Sequence, residues 1–220
     1  MTGADAHGLT LKDVCILLNN KPLVHVSAHV NPGEVLTIMG PSGSGKSTLL
    51  AYIGGFLDRA FAGMGSVHLN GKSIENLPAE ARHVGILFQD SLLFPHMSVG
   101  QNLLFAIPSD QKGSDMRRSR AEDALKEVGL EGLYDRDPAT LSGGQKARVA
   151  LIRVLLSSPK ALLLDEPFSK LDADRRSSIR KIVFDLAMAR NLPVLLVTHD
   201  AEDAEAAGGS VIMPMGTKSV

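Results

Sequence analysis

A glycine-rich segment, GPSGSGKST at residues 40–48, limits the fold of this chain more than any other feature. It matches the pattern G-x-x-x-x-G-K-[ST], follows the apolar run VLTIM (35–39), and precedes a stretch with helical character from 46 to 57. Glycines let backbone N–H groups curl around a phosphate, and the positive end of the next helix adds to the attraction. A strand, a phosphate loop and a helix in this order predict an α/β domain.

Three further short apolar runs end at polar residues: VGILF (84–88) before Gln89, KALLLD (160–165) at Asp165, and PVLLVT (193–198) before His199. Short apolar strands are typical of parallel sheets that are covered by helices on both faces. Ligands of such sheets bind outside the carboxyl ends of the strands. We therefore expect the residues at these strand ends to converge on one site with Gly40.

Two other regions differ from this parallel pattern. Residues 9–18 and 23–30 alternate like antiparallel strands, and Asn70-Gly71 within 65–74 predicts a hairpin. Residues 90–156 read as almost entirely helical, including a capping box at SVGQ (98–101). We interpret residues 1–220 as a single domain, with a nucleotide-binding core and β subdomain at about 1–89 and 157–220 and an inserted helical subdomain at about 90–156.

Composition excludes several classes of protein. A net charge of −1 gives no electrostatic case for a nucleic-acid partner. The single Cys15 excludes an internal disulfide, and the N-terminus lacks the profile of a signal peptide. No apolar run approaches the roughly 18 residues that a membrane helix requires. We expect a cytosolic chain, unless a partner brings it to a membrane.

Several side chains have types and positions that suit phosphate chemistry. Lys46 is placed to reach the β- and γ-phosphates, Ser47 to ligate Mg²⁺, and Thr48 to add a nearby hydroxyl. Asp165 ends a buried strand, where it can hold Mg²⁺, and the adjacent Glu166 can orient or deprotonate an attacking water. Adjacent carboxylates in a turn are usually solvated, but the preceding apolar strand makes that alternative less attractive here.

Gln89 and His199 carry weaker signals when each is taken alone. A glutamine after a strand is commonly a surface amide, and a lone histidine is commonly structural. Their positions at strand ends favour a functional interpretation. Gln89 would then contact Mg²⁺ or the lytic water, and His199 would bond to the γ-phosphate.

The order of GPSGSGKST, ILFQD, LSGGQ (141–145), LLLDEP, SKLD and VTHD resembles the nucleotide-binding subunit of an ABC transporter, over roughly residues 9–213. The stretch LFPHMSVGQNLLF is similar to that of import-type subunits. The resemblance implies a P-loop NTPase with a RecA-like, mostly parallel core, a small N-terminal antiparallel β subdomain and an inserted helical subdomain. It also implies an ATPase that drives solute uptake through a separate membrane permease.

The same resemblance implies a head-to-tail homodimer that holds ATP and Mg²⁺ between its subunits. The chain's own phosphate loop would bind the nucleotide through Gly40, Pro41, Ser42, Gly43, Ser44, Gly45, Lys46, Ser47 and Thr48. The LSGGQ segment would bind the γ-phosphate of the partner's nucleotide through Ser142, Gly143, Gly144 and Gln145. Ser142 can cap the helix that begins there, and glycines leave amides uncovered. The family also implies that the chain binds membrane permease subunits and works with a solute-binding protein. It further implies a peripheral location at the cytoplasmic face of the cell membrane.

Some features depart from the family. No aromatic residue precedes the phosphate loop, so Leu17 or Leu18 would contact the adenine, and Lys170 stands where a small residue is common. We also expect no C-terminal regulatory β-domain. Three alternatives are less favourable. An ABC-type ATPase that acts on DNA needs a long coiled-coil insertion, and one that acts on ribosomes usually has two such domains, whereas this sequence shows neither. A kinase would leave LSGGQ unexplained, and a non-hydrolysing module would be expected to lack Glu166 or His199, which are both present.

Overall fold

The computed structural model describes residues 7–111 and 113–214, with the side chains of 173–175 left aside. The chain divides into two compact units. The core unit comprises the described part of 1–86, with 160–166 and the described part of 184–220. The helical unit comprises 87–159, apart from 112, and 167–183.

In the described residues, the first six strands are interrupted by a single α-helix, three α-helices follow in succession, and strands and helices alternate from the seventh strand onward. The strands are β1 (Leu9–Leu18), β2 (Lys21–Val30), β3 (Val35–Met39), β4 (Phe61–Leu69), β5 (Lys72–Ser73), β6 (Val84–Leu87), β7 (Ala161–Asp165), β8 (Val194–Thr198) and β9 (Ser210–Ile212). The helices are α1 (Lys46–Gly54), α2 (Val99–Ala106), α3 (Ser114–Glu127), α4 (Gly143–Leu156), α5 (Ala173–Ala189) and α6 (Ala201–Ala207). This arrangement confirms the predicted α/β class.

A five-stranded sheet with the order β6-β7-β8-β3-β9 carries the predicted apolar strands. The pairs β7–β8, β3–β8 and β3–β9 are parallel. Val197 of β8 pairs with Asp165 on one side and with Ile38 on the other, so β7, β8 and β3 end at the same level. Their carboxyl ends therefore place the segments that follow them side by side, as expected for a ligand site in such a sheet.

A second, four-stranded sheet has the order β2-β1-β4-β5. The β4–β5 hairpin closes through Asn70 and Gly71, which have φ angles of 50° and 76°. Two central residues with positive φ form the turn that follows the natural strand twist, which confirms the predicted hairpin. Strand β4 begins at Phe61, earlier than the pattern of 65–74 indicated. Within this earlier part, the ring of Tyr52 occupies the space that a side chain at Gly63 would need.

Helix α1 is anchored at its C-terminal end by a buried arginine. Gly55 takes a left-handed conformation and ends the helix at Gly54, short of the predicted residue 57. The guanidinium of Arg82 donates to the carbonyl oxygens of Tyr52 (2.6 Å) and Ile53 (2.9 Å). These carbonyls belong to the last turn, where a helix cannot satisfy its own acceptors. The positive charge there also favours the negative end of the helix dipole.

The helical unit is built on α2, α3 and α4, which contact one another. Helix α3 ends as its sequence predicted: Gly129 has φ 66°, its N–H donates to the carbonyl of Lys126, and the next N–H donates to that of Leu125. This pair of bonds satisfies the terminal carbonyls of the helix. Apolar side chains such as Leu103, Leu125 and Ile152 are fully buried within the unit.

Candidate functional site

The phosphate loop connects β3 to α1 in the core unit. Gly43 and Gly45 have φ angles of 80° and 83°, a region that L-residues with side chains rarely occupy. A Cβ atom added at Gly43 would meet nothing within 4 Å, whereas one added at Gly45 would lie 2.7 Å from Leu23. Gly43 therefore faces open space, and Gly45 is required by packing.

The ammonium group of Lys46 is folded into this loop. Its Nζ donates to the carbonyl oxygens of Gly40 and Pro41, both at 2.7 Å, and lies 3.4 Å from Ser44 Oγ. The residue is only 4% exposed. A buried ammonium with all three N–H donors directed at loop oxygens fixes the curvature of the loop and adds positive charge where an anionic phosphate would bind.

Ser47 and Asp165 meet although they are far apart in the chain. Ser47 Oγ donates to Asp165 Oδ1 at 2.8 Å. Burial raises the pKa of the Asp165 carboxyl above its ordinary value, and the neighbouring charge of Glu166 raises it further, while the Ser47 bond and Lys46 act in the opposite direction. A hydroxyl and a carboxylate side by side are hard oxygen ligands, so the pair fits Mg²⁺.

Glu166 and His199 form a contact between the ends of the neighbouring strands β7 and β8. Glu166 has a positive φ of 46°, and its N–H donates to the carbonyl of Val197 at 2.9 Å. The Nδ1 atom of His199 lies 3.1 Å from Glu166 Oε1. Because a non-glycine residue with positive φ is uncommon, this turn is held by its surroundings rather than by its own preference.

The turn that carries His199 is fixed by residues that sequence reasoning missed. Thr198 Oγ1 donates to Asp203 Oδ2 at 2.9 Å and accepts from the N–H of Asp200 at 3.0 Å. Both Thr198 and Asp203 are almost completely buried. Thr198 ends an apolar strand, and Asp203 follows it by only five residues. This short spacing is the sequence signal that could have identified the support, because a buried carboxylate needs a hydrogen-bond partner.

Gln89 lies in the helical unit, two residues after β6. Its neighbour Asp90 forms an ion pair with Lys170, with 2.5 Å between Oδ1 and Nζ. Gln89, Asp90 and Lys170 line a groove of about 460 Å³ within the helical unit. Most of its other walls are apolar, namely Leu87, Leu92, Leu93, Pro95, Pro138 and Ala139.

The LSGGQ segment starts α4, and its serine caps the helix as predicted. Ser142 Oγ accepts from the N–H of Gln145 at 3.3 Å, and Gln145 Oε1 accepts from the N–H of Ser142 at 2.9 Å. In the described part of the chain, the N–H groups of Gly143 and Gly144 have no acceptor. A Cβ atom at Gly143 would meet nothing within 4 Å. Gly143 is exposed and Gly144 is buried, so the helix begins with one accessible amide that a ligand could use and a second, covered one behind it.

The N-terminus of α2 shows what a purely structural version of this motif looks like. Ser98 and Gln101 form the same capping box. Its first two amides, however, have acceptors. The N–H of Val99 donates to the carbonyl oxygen of Arg136 at 2.9 Å, and that of Gly100 donates to the carbonyl oxygen of Tyr134 at 2.7 Å. The Tyr134 ring also covers Gly100, because a Cβ atom added there would lie only 2.4 Å from the ring. The two motifs share a sequence pattern, but only that of α4 presents an amide for an anion.

The residues expected near a base are less distinctive. Leu17 and Leu18, at the end of β1, are half-buried. The first aromatic residue in the chain, Tyr52, instead donates its hydroxyl hydrogen to the carbonyl of Gly65 at 3.0 Å.

In the part of the chain that the structure describes, no helix is both long and apolar enough to span a bilayer.

Comparison with known proteins agrees with this geometry. The family model "ABC transporter" matches residues 23–169. The chain is 51% identical to the ABC transporter ATP-binding protein YnjD of Escherichia coli K12, over 90% of this chain and 91% of that one. It is 42% identical to the spermidine/putrescine import ATP-binding protein PotA of Legionella pneumophila (strain Lens), over 84% of this chain and 50% of that one.

A third relative widens the range of named cargo. The Fe(3+) ions import ATP-binding protein FbpC of Brucella abortus (strain 2308) is 39% identical, over 97% of this chain and 60% of its own length. The chain thus spans half to three-fifths of the length of PotA and FbpC, but nearly all of YnjD. From the phosphate loop, the paired strand ends, the unoccupied amides of α4 and these matches, we conclude that the chain belongs to the ABC transporter family, as one of its ATP-binding ATPase subunits.

Proposed function

We propose that this chain hydrolyses ATP with Mg²⁺ at a site completed by a second copy, and that this drives solute uptake through a separate membrane permease. The observation that carries the proposal is the pair of unoccupied amides at Gly143 and Gly144 of α4. The core unit already supplies a phosphate loop, a Ser47–Asp165 pair and a Glu166–His199 pair. An additional anion site on α4 is therefore available to another chain's nucleotide.

The phosphate loop would hold the β- and γ-phosphates of ATP. Residues 40–45 would donate backbone N–H groups, with Lys46 as the cation and the Thr48 hydroxyl nearby. Gly43 supports this assignment, because the space beside it is open to a ligand. Ser47 and Asp165 would hold Mg²⁺, with the Gln89 amide oxygen as a further ligand. The ion would neutralise charge that develops on the phosphate oxygens.

Glu166 would act as the general base. Its carboxylate would take a proton from a water whose oxygen attacks the γ-phosphorus, while the bond to the β–γ bridging oxygen breaks and ADP leaves. His199 would hold the carboxylate through Nδ1 and donate from Nε2 to the γ-phosphate. Gln89 would orient the water.

The second copy would contribute the LSGGQ segment head to tail. Ser142, Gly143, Gly144 and Gln145 would contact the γ-phosphate bound by the partner's phosphate loop. The positive end of the 14-residue helix α4 adds to this attraction. ATP would then join two chains, and its hydrolysis would release them.

The import direction and the membrane partners are supported by the names of the relatives, which include import ATP-binding proteins for spermidine/putrescine and for Fe(3+) ions. The surface around Gln89 to Asn102 would receive the permease at the cytoplasmic face of the cell membrane. Leu92 is 58% exposed there, beside the apolar groove of the helical unit. Exposed apolar surface with a polar rim suits a protein partner. A solute-binding protein would deliver the cargo to the permease.

Light scattering of the Glu166→Gln variant, with and without ATP and Mg²⁺, tests the shared site. Without its base the variant should keep ATP, so the mass should double when nucleotide is added. Adding Ser142→Arg should abolish the dimer, because the side chain would cover the free amides. Ser98→Arg is the matched control, since it breaks an equivalent capping box and should leave the dimer intact. If Glu166→Gln binds ATP but stays monomeric at every protein concentration, the shared site is excluded.

A further inference from the structure

Arg153, near the C-terminal end of α4, holds the loop that follows Gln89. One guanidinium nitrogen donates to the carbonyl oxygen of Leu92 at 2.8 Å, and another donates to that of Ser91 at 3.1 Å. The guanidinium carbon lies 5.5 Å from the centre of the Phe94 ring, within the range of a cation–π contact. A planar fork that donates to two consecutive carbonyls fixes both the position and the orientation of this backbone.

Asn102 extends the same network. This completely buried side chain accepts from the N–H of Phe94 at 2.8 Å and donates to the carbonyls of Phe94, Met97 and Ser98 at 3.0–3.3 Å. An Arg153 nitrogen lies 3.4 Å from Asn102 Oδ1. Residues 91–98 form neither strand nor helix, so side chains rather than a ladder of backbone bonds hold them in place.

The held loop has an unfavourable conformation at Leu92. This residue has a φ of 45°, although it is not a glycine, and its side chain is exposed. Burial lowers the pKa of the Arg153 guanidinium, which nevertheless keeps its carbonyl acceptors. Arg153 of α4 holds the loop at Ser91 and Leu92, and Asn102 of α2 holds it from Phe94 onward. The Arg153 bonds therefore connect α4 to the part of the loop nearest Gln89, which includes the unfavourable Leu92.

We propose that Arg153 is a positioning residue that ties the Gln89 loop to α4, so that binding at the N-terminus of α4 and placement of the Gln89 side chain occur together. The proposal rests on the roles given above to Gln89 and to the LSGGQ segment, which begins α4. Arg153 would act only through the backbone of Ser91 and Leu92, without contacting nucleotide itself.

Hydrogen–deuterium exchange of Arg153→Met tests the mechanical part. We expect exchange in 91–94 to become about tenfold faster than in the wild type at the amide of Phe94, which donates to Asn102 in this network. Arg117→Met is the matched control, because Arg117 also donates to main-chain carbonyls of the helical unit, at Leu104, Ile107, Pro108 and Gln111. It should leave exchange in 91–94 unchanged. Arg153→Lys keeps the charge but not the fork, and replaces the Met variant if that one does not fold.

A double-mutant cycle with Gln89→Ala tests the functional part. Arg153→Met alone should lower kcat by up to about 100-fold, the loss expected when a catalytic group is misplaced by about 1 Å. In the Gln89→Ala background it should lower kcat less than about twofold further, because its effect passes through Gln89. Arg117→Met should act equally in both backgrounds. A merely structural role of Arg153 would likewise give equal losses in both backgrounds.

Three outcomes separate the possible failures. Unchanged exchange in 91–94 would overturn the connection to the loop, and multiplicative losses of kcat would overturn its action through Gln89. Normal activity of Gln89→Ala would remove the role proposed for Gln89 itself, and with it the functional half of this inference. The exchange experiment would still decide whether Arg153 holds the loop.

Discussion

The Nδ1 atom of His199 lies 3.1 Å from Oε1 of Glu166, and the two residues follow adjacent strands of one sheet. The histidine side chain is 53% exposed and the glutamate side chain only 21%. The imidazole therefore stands on the solvent side of the pair and restricts the orientation of the carboxylate. Removing the imidazole should therefore remove one restraint on that carboxylate.

His199→Ala should lower kcat for ATP hydrolysis about 100-fold with a small change in KM, because it removes the proposed donor to the developing charge and one contact that orients the carboxylate. Steady-state phosphate release measures both constants. His25→Ala is a suitable control, since His25 also lies beside a carboxylate, 3.8 Å from Asp13, but in the antiparallel sheet. Wild-type kcat in His199→Ala would contradict the proposed role.

Thr198→Val should destabilise the folded protein by about 1–3 kcal/mol, because it leaves the buried Asp203 carboxylate and the Asp200 amide without the hydroxyl they share. Thr37→Val is the matched control on the adjacent strand. Thr37 is fully buried, and its hydroxyl has no partner among the described residues, so its removal should be neutral or stabilising. Urea unfolding of both variants gives the comparison. Equal losses would show that the Thr198 network contributes nothing specific.

Asp165→Asn should stabilise the protein at neutral pH when nucleotide and metal are absent. The folded-state pKa of Asp165 is raised above its ordinary 3.8, so the ionised carboxylate costs stability in the folded state. This cost is absent below pH 3.8 and develops as the pH rises through the folded pKa. The advantage of the asparagine should therefore shrink as the pH falls toward about 4. Thermal unfolding in EDTA across this range measures it, and a less stable variant at neutral pH would refute the prediction.

Gly45→Ala should destabilise the nucleotide-free protein more than Gly43→Ala does. Both glycines have positive φ angles, so each alanine costs about 1–2 kcal/mol of backbone strain. Only the Cβ at 45 meets Leu23, at 2.7 Å, which adds a steric cost. Urea unfolding measures both losses, and adding Leu23→Ala should recover part of the Gly45→Ala loss. Equal losses at the two positions would mean that the Leu23 contact has no effect.

Local patterns predicted much of this fold. Strand β3 has the bounds that its apolar run indicated, and the hairpin at Asn70-Gly71 and the cap at Ser98 were visible in the sequence. Each depends on residues within a few positions of one another, so the sequence contains the whole cause. The phosphate loop was recognisable for the same reason.

The supports of the site could not be predicted in this way. Arg82 and Arg153 donate to main-chain carbonyls up to 30 and 62 residues away. Every residue has such a carbonyl, so no residue type marks the acceptor, and only the fold brings the groups together. The SVGQ and SGGQ boxes differ for the same reason, because the distant carbonyls of Tyr134 and Arg136 accept from the first two amides of the SVGQ helix and no such carbonyls reach those of the SGGQ helix in the described residues.

Anchoring at both ends of α1 limits how the protein can respond to its nucleotide. Lys46 holds the start of this nine-residue helix to the loop carbonyls, and Arg82 holds its last turn. Because α1 is held at both ends, the phosphate loop is already formed before a phosphate binds. Binding should therefore cost little conformational entropy of this loop. We therefore expect nucleotide binding to move the strand ends that carry Glu166 and His199 more than it displaces this helix.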